Sequence, residues 1–260
     1  MRRLVILVAV LGALVAGCAR SPSGGDGGDG GVVLPTGGAA VSVAAWRLEG
    51  GFVPAGMRAI SAPRLVVYSD GRAVADAERM LTLTVRETGE LVGALRHDLA
   101  GLPATATPRP GGPQVADAAT SVLEVRGADG RLQSVQAYAL EIVQGYPRSI
   151  YAARDRLAPL AERVARDGVP YTSDRIRLVA ERREEAGAGS TVAPWPAGVP
   201  VPSTVDGQSG VRVLDLAGVQ SEAAALALPR DLVQPGTWPL RRTPDGGLLA
   251  VSWRYLLPGE

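Results

Sequence analysis

The stretch Arg64-Leu65-Val66-Val67-Tyr68-Ser69-Asp70-Gly71-Arg72-Ala73-Val74-Ala75-Asp76 decides the reading of the fold. Two short, mainly apolar runs flank Ser-Asp-Gly. An Asp-Gly pair tolerates the positive φ of a type I′ turn, so the pattern predicts a two-stranded hairpin. Asp70 is also a carboxylate that catalysis or a metal could use, but turn chemistry already accounts for it.

The same punctuation recurs elsewhere in the chain. Gly127-Ala128-Asp129-Gly130 separates apolar runs at 120–126 and 131–140, and Pro244-Asp245-Gly246-Gly247 separates 238–241 from 248–255. In the last run Leu249, Val251, Trp253 and Tyr255 alternate onto one face. Further strands read at 41–48, 80–86, 175–180 and 211–216. Three segments carry helical spacing instead. The first follows Thr88 as N-cap, with Glu90 in its first turn and Gly101 at its end. It puts Leu91, Val92, Leu95 and Leu99 on one face and His97 nearly opposite. The second spans about 150–167 with a stripe of Ala153, Leu157, Leu160, Ala161 and Val164, and Pro159 predicts a kink or a late start. The third lies near 221–228. Hairpins interrupted by helices predict the α+β class: a mainly antiparallel sheet built from hairpins and covered by two or three helices.

Domain organisation follows from composition. Residues 41–260 read as one globular α+β domain. A polar, Pro-rich and Gly-rich stretch at 183–210, including Ala193-Pro194-Trp195-Pro196, reads as an extended loop that could set off a C-terminal subdomain at 211–260. That remainder is marginal for folding alone, so it is expected to pack on what precedes it.

The 260 residues contain 27 basic side chains, all of them Arg, and neither Lys nor Asn. The absent residues have AT-rich codons, so a GC-rich genome explains the Arg-only set without invoking phosphate or nucleic acid. Removing 1–17 takes away Arg2 and Arg3, leaving 25 basic against 26 acidic residues. A near-neutral domain lacks the basic stripe of a nucleic-acid binder, and none is expected as a partner. With one Cys, Cys18, and one His, His97, no internal disulfide or Cys/His zinc site can form. No cofactor is expected.

Residues 1–17 divide into the parts of an export signal. Arg2 and Arg3 give a positive start, and 4–15 is an apolar run shorter than the roughly 20 residues that span a bilayer. Val15-Ala16-Gly17-Cys18 then resembles the lipobox of bacterial lipoproteins. This predicts cleavage between Gly17 and Cys18 and a lipid-modified Cys18 that anchors the chain to the outer face of the cytoplasmic membrane. Residues 18–40, with Gly24-Gly25-Asp26-Gly27-Gly28-Asp29-Gly30-Gly31, read as a solvated tether. About 20 such residues reach roughly 25 Å.

Three segments carry a wider resemblance: Gly50-Gly51-Phe52-Val53-Pro54, Pro63 to Arg72, and Arg254-Tyr255-Leu256-Leu257-Pro258-Gly259-Glu260. They resemble a group of uncharacterised actinobacterial lipoproteins, with Ser69 where Gly is usual and Tyr255 where Pro is usual. The resemblance implies an envelope lipoprotein and supplies no activity.

Function reads mostly from absences. There is no G-x-S-x-G, H-E-x-x-H, P-loop or dinucleotide fingerprint. The leading expectation is a non-enzymatic binding or accessory module of the envelope, partnered by an envelope protein or a wall polymer. A carboxylate-dependent hydrolase of wall polymers is the alternative, with Glu49, Asp117, Glu141 or Asp174 as candidates. A carbohydrate-binding module would use exposed rings, with Trp195 and Trp238 the candidates, while Trp46 and Trp253 sit in strand patterns that point to the core. The Arg residues at 154, 156, 163 and 166 alternate with acids and read as a solvated helix surface.

Overall fold

All three Asp-Gly stretches close hairpins, and they share one device. β2 (Leu65–Tyr68) and β3 (Arg72–Ala75) are joined through 69–71, where the Gly71 N–H donates to the Tyr68 carbonyl at 3.0 Å. Gly71 takes φ +86° while Asp70 stays outside the positive-φ set. The type I′ expectation is thereby corrected: an ordinary-handed turn is followed by one left-handed glycine. The Asp70 carboxylate accepts the Arg72 N–H at 3.1 Å and pairs with its guanidinium at 2.7 Å, which fixes the turn. Asp129 and Asp245 repeat the arrangement, accepting from the N–H groups of Arg131 and Gly247.

The computed structural model describes residues 34, 40–111, 115–187, 189–203, 205–206, 210–230, 232 and 238–260. The lipobox reading at Gly17 and Cys18 lies outside them. Two sheets and four helices make up the described fold, which is α+β. The first sheet adds β1 (Ser42–Gly50), β4 (Arg79–Thr82), β5 (Thr105–Ala106), β6 (Ala119–Arg126), β7 (Leu132–Tyr138) and β8 (Val169–Pro170) to the first hairpin. Its order is β5-β7-β6-β1-β2-β3-β4-β8, antiparallel except for β5 on β7.

Two helices cover one face of that sheet, α2 (Val85–Leu99) and α3 (Arg148–Asp167). α2 starts earlier than Thr88, and the strand before it is correspondingly shorter. Thr84 is the N-cap: its Oγ1 accepts the Glu87 N–H at 3.1 Å while its own N–H donates to Glu87 Oε2 at 2.7 Å. This reciprocal box was written in the sequence as Thr84-x-x-Glu87. Val92, Leu95 and Leu99 are fully buried beneath α2, each adding about 1.5–3 kcal/mol over an exposed position. His97 is exposed. α3 runs through Pro159 without a late start and buries Ala153, Leu157, Ala161 and Val164. Two of its arginines tie it to α2 rather than to solvent alone. Arg156 reaches the buried Asp98 at 2.6 Å, and Arg163 reaches Glu87 at 3.1 Å.

The second sheet is assembled from β9 (Arg175–Arg183), β10 (Val192–Pro194), β11 (Val205–Asp206), β12 (Val211–Ala217), β13 (Leu240–Arg242) and β14 (Leu248–Tyr255), in the order β10-β13-β14-β9-β12-β11. Strands on both sides of the 183–210 stretch pair within it: β9 lies between β14 and β12. Residues 211–260 therefore complete a sheet that 175–183 begins. α4 (Val219–Ala227) packs on the face carrying Leu249, Val251 and Trp253. The opposite face receives α1 (Ala55–Ile60), a short helix that no apolar periodicity announced. The four helices thus exceed the two or three expected.

Candidate cleft between the two sheets

The helix-free face of the first sheet is covered over only part of its width. Val66, Tyr68 and Val74 are packed beneath Tyr171 and Leu257. The neighbouring part, around β1 and β6, faces a cleft of about 1390 Å³ whose far wall is α1 and the turn at 257–260. That volume exceeds the roughly 300–1,000 Å³ of ordinary small-ligand pockets.

A loop built for one side chain forms part of its rim. Gly50 and Gly51 hold φ of +74° and +77°, the Phe52 N–H donates to the Asp117 carbonyl at 3.0 Å, and a Cβ on Gly51 would press on Ala119 N at 3.3 Å. The chain's one Phe is consequently held 90% exposed, with Val53 behind it on the cleft wall. The hydrogen-bonded loop thus presents one apolar ring at a fixed place beside the cleft.

Within the cleft, charges are paired across elements. Arg47 of β1 sits between Glu124 of β6 at 2.8 Å and Glu49 at 3.5 Å. Arg64 meets Asp76 at 3.2 Å; burial pushes the Asp76 carboxyl up, and Arg64 pulls it back. Arg58 on α1 is exposed and has no ionic partner among the described residues.

The turn at 257–260 is held from three sides. Arg254, 1% exposed, donates from both Nη atoms to the Glu260 carboxylate at 2.7 Å, and the Leu257 N–H reaches Glu260 Oε2 at 2.8 Å. Burial alone would raise the Glu260 carboxyl, but Arg254 and that N–H outweigh it and hold the group below its ordinary range. The Tyr68 hydroxyl donates to the Pro258 carbonyl at 3.4 Å and that of Tyr171 to the Leu256 carbonyl at 2.9 Å. Burial, reinforced by Tyr171 and Glu260, pushes Tyr68 well above the usual phenol range, so it stays a donor.

The predicted site residues fare unevenly. Among the four candidate carboxylates only Glu49 lines the cleft. Glu141 pairs with Arg154 at 3.5 Å, Asp117 is exposed at φ +56° before β6, and Asp174 is exposed while its carbonyl holds Gly218 and Ser221 at the start of α4. Glu49 and Glu124 do come together, but with a shared guanidinium between them. The exposed-ring expectation for Trp238 is corrected: it is 3% exposed, packed with Ile60 and Val179. Trp195 is half-buried and donates its Nε1–H to the Val199 carbonyl at 2.7 Å, lining only a shallow depression with Arg242 and Pro244. Trp46 and Trp253 are buried as expected. Among the described residues, no group of three or more potential metal ligands converges, and no helix is long and apolar enough to cross a membrane.

Sequence reading passed over Arg47, Glu124 and Arg254, although a signal existed. Each is a charge set between two apolar or aromatic neighbours within a strand, Trp46-Arg47-Leu48, Leu123-Glu124-Val125 and Trp253-Arg254-Tyr255. Such a residue must face something other than the helix-covered core.

Comparison with known protein families, curated proteins and solved structures finds no match to this chain.

Proposed function

We propose that this chain is a lipid-anchored binding module on the outer face of the bacterial cytoplasmic membrane, and that the cleft between its sheets is the recognition site. The protein acts by holding a partner, an envelope protein or a wall polymer, rather than by chemistry on it. One observation carries the reading. Two of the three segments that resemble envelope lipoproteins are near neighbours in sequence and the third is distant from both, yet residues of all three line this cleft: Gly50 and Val53, Arg64 and Tyr68, Arg254 and Glu260. Tyr68 and Arg254 are almost wholly buried and serve packing, whereas Gly50, Val53 and Arg64 stay accessible at the opening, where a partner could meet them. The exposure of Phe52 at the rim and Arg58 on the cleft wall, which has no ionic partner among the described residues, support the same conclusion.

Photocrosslinking in cells tests it. A photoreactive residue at position 58 of the full chain should yield a defined adduct, whereas one at Glu162, exposed on α3, should not. Equal labelling at both positions, or none at position 58, defeats the reading.

A further inference from the structure

β1 outruns its neighbour β2. The last pair between them is Trp46 with Leu65, yet β1 continues to Gly50 with partners only in β6, from Arg47 with Val122 to Gly50 with Ala119. Ahead of Leu65 the chain is drawn away, since the Pro63 carbonyl accepts the Asp76 N–H at 3.1 Å. An opening is left beside 47–50, and the residues around it line the cleft.

The direction of the main-chain groups along this overhang follows from register. The Ala119 carbonyl accepts the Ala139 N–H, on the β7 side of β6. Main-chain groups alternate along a strand, so those of Thr120 and Val122 point to β1, and their partners Glu49 and Arg47 point back. Leu48 and Gly50 therefore turn their N–H and C=O groups the other way, into the gap. No described residue takes them up. A row of unpaired strand groups is a template for another extended chain.

We propose that the cleft receives an extended peptide from a partner protein, added to the first sheet as a strand beside 47–50. This rests on the cleft being the recognition site. At ~3.4 Å per residue the overhang offers about 14 Å of edge, enough to pair about four peptide residues. Main-chain hydrogen bonds supply affinity in this mode, and the flanking side chains supply selectivity. Phe52, at the far end of the overhang, suits an apolar peptide side chain. Arg58, which has no described counter-ion, suits an acidic one.

The test uses the full chain against a phage-displayed library of random linear peptides. Enriched peptides are then synthesised with single N-methylated amides. Binding should weaken at alternate positions only, by up to about tenfold for each main-chain hydrogen bond removed. Leu48→Pro deletes one N–H that faces the gap and leaves the β6 ladder intact, so it should cost a similar factor while Leu48→Ala retains binding. If Leu48→Pro does not fold, the N-methyl scan decides alone. Failure to enrich any peptide, or N-methylation effects without alternation, overturns the proposal. A glycan or lipid adduct at position 58 also overturns it while leaving the binding-module reading standing; no adduct there removes both.

Discussion

Arg254 and Glu260 meet through two hydrogen bonds of 2.7 Å, and the arginine that makes them is almost completely shut off from solvent. The pair closes the turn that forms one wall of the cleft. Glu260→Gln keeps the shape but takes away the carboxylate that a buried guanidinium pairs with directly. Breaking such a pair costs about 3 kcal/mol, and the partial exposure of Glu260 keeps it from costing more. Urea denaturation of the variant should show this loss; a midpoint equal to that of the parent would mean the pair is idle.

The same carboxylate, together with Glu87, sets an acid dependence. The N–H and hydroxyl of Thr84 and the guanidinium of Arg163 bring Glu87 down to about 2, and Glu260 is lowered as well. Both groups bind protons more weakly when folded than when unfolded. Their contribution is complete above the unfolded value of about 4.3 and drains away as pH falls towards 2. Glu260→Gln should flatten part of that decline below about pH 5, measured by melting temperature against pH.

Gly71→Ala is expected to be costly. The position combines φ +86° with a Cβ that would lie 2.5 Å from the Leu83 carbonyl oxygen. A left-handed alanine costs about 1–2 kcal/mol before that collision is counted. Thermal melting should therefore fall well beyond what Gly89→Ala produces, since a Cβ on Gly89 meets nothing within 4 Å.

Gly56→Ala should loosen the far wall. The Gly56 N–H donates to Glu181 Oε1 at 2.9 Å, and a Cβ there would fall 2.8 Å from Glu181 Cδ. The Glu181 carboxylate has to swing aside, and α1 loses this hydrogen bond to β9 while keeping its apolar packing, at a cost of about 1–3 kcal/mol. Hydrogen exchange should quicken in α1 (Ala55–Ile60) more than in α2; uniform change across both helices would show that the contact is not local.

Phe52→Ala should separate binding from folding. A ring so exposed contributes little to stability, within about 0.5 kcal/mol. If it is a contact residue, the crosslinked adduct at position 58 should drop by roughly fivefold or more. Undiminished capture would remove Phe52 from the interface.

Cys18→Ser tests the anchor. The parent should incorporate labelled fatty acid and sediment with membranes, and the variant should do neither. Two acyl chains on a diacylglycerol, at ~0.8 kcal/mol per buried methylene, make that contrast large. Label in the variant, or none in the parent, would remove the membrane assignment.

The elements that could be read from sequence were those fixed locally. The last strand, Leu248–Tyr255, appears with the bounds its alternation gave, because each face of it packs independently and the Asp245-Gly246 turn sets its start. α2 was placed but misdated, since Thr84-x-x-Glu87 and Thr88 compete as starts and only the hydrogen bonds of the former are made. α1 was invisible: six residues carry no periodicity, and Gly56 becomes a helix residue through its contact with Glu181, 125 positions away. The cleft was invisible for the same reason. Its wall residues come from β1, β6, α1 and the turn at 257–260, and nothing local says that these meet. Trp238 was misread because a Pro-flanked ring near a loop gives no sign that Ile60 will cover it.

Leu34 packs into the core beneath α2 and α3, on the side of the first sheet turned away from the cleft. Tension transmitted along the polypeptide from upstream would enter there, through close-packed side chains on the reverse of the sheet. A pull would have to draw Leu34 out of that core before it reached β1, so the packing beneath α2 and α3 is the first thing such a load would test.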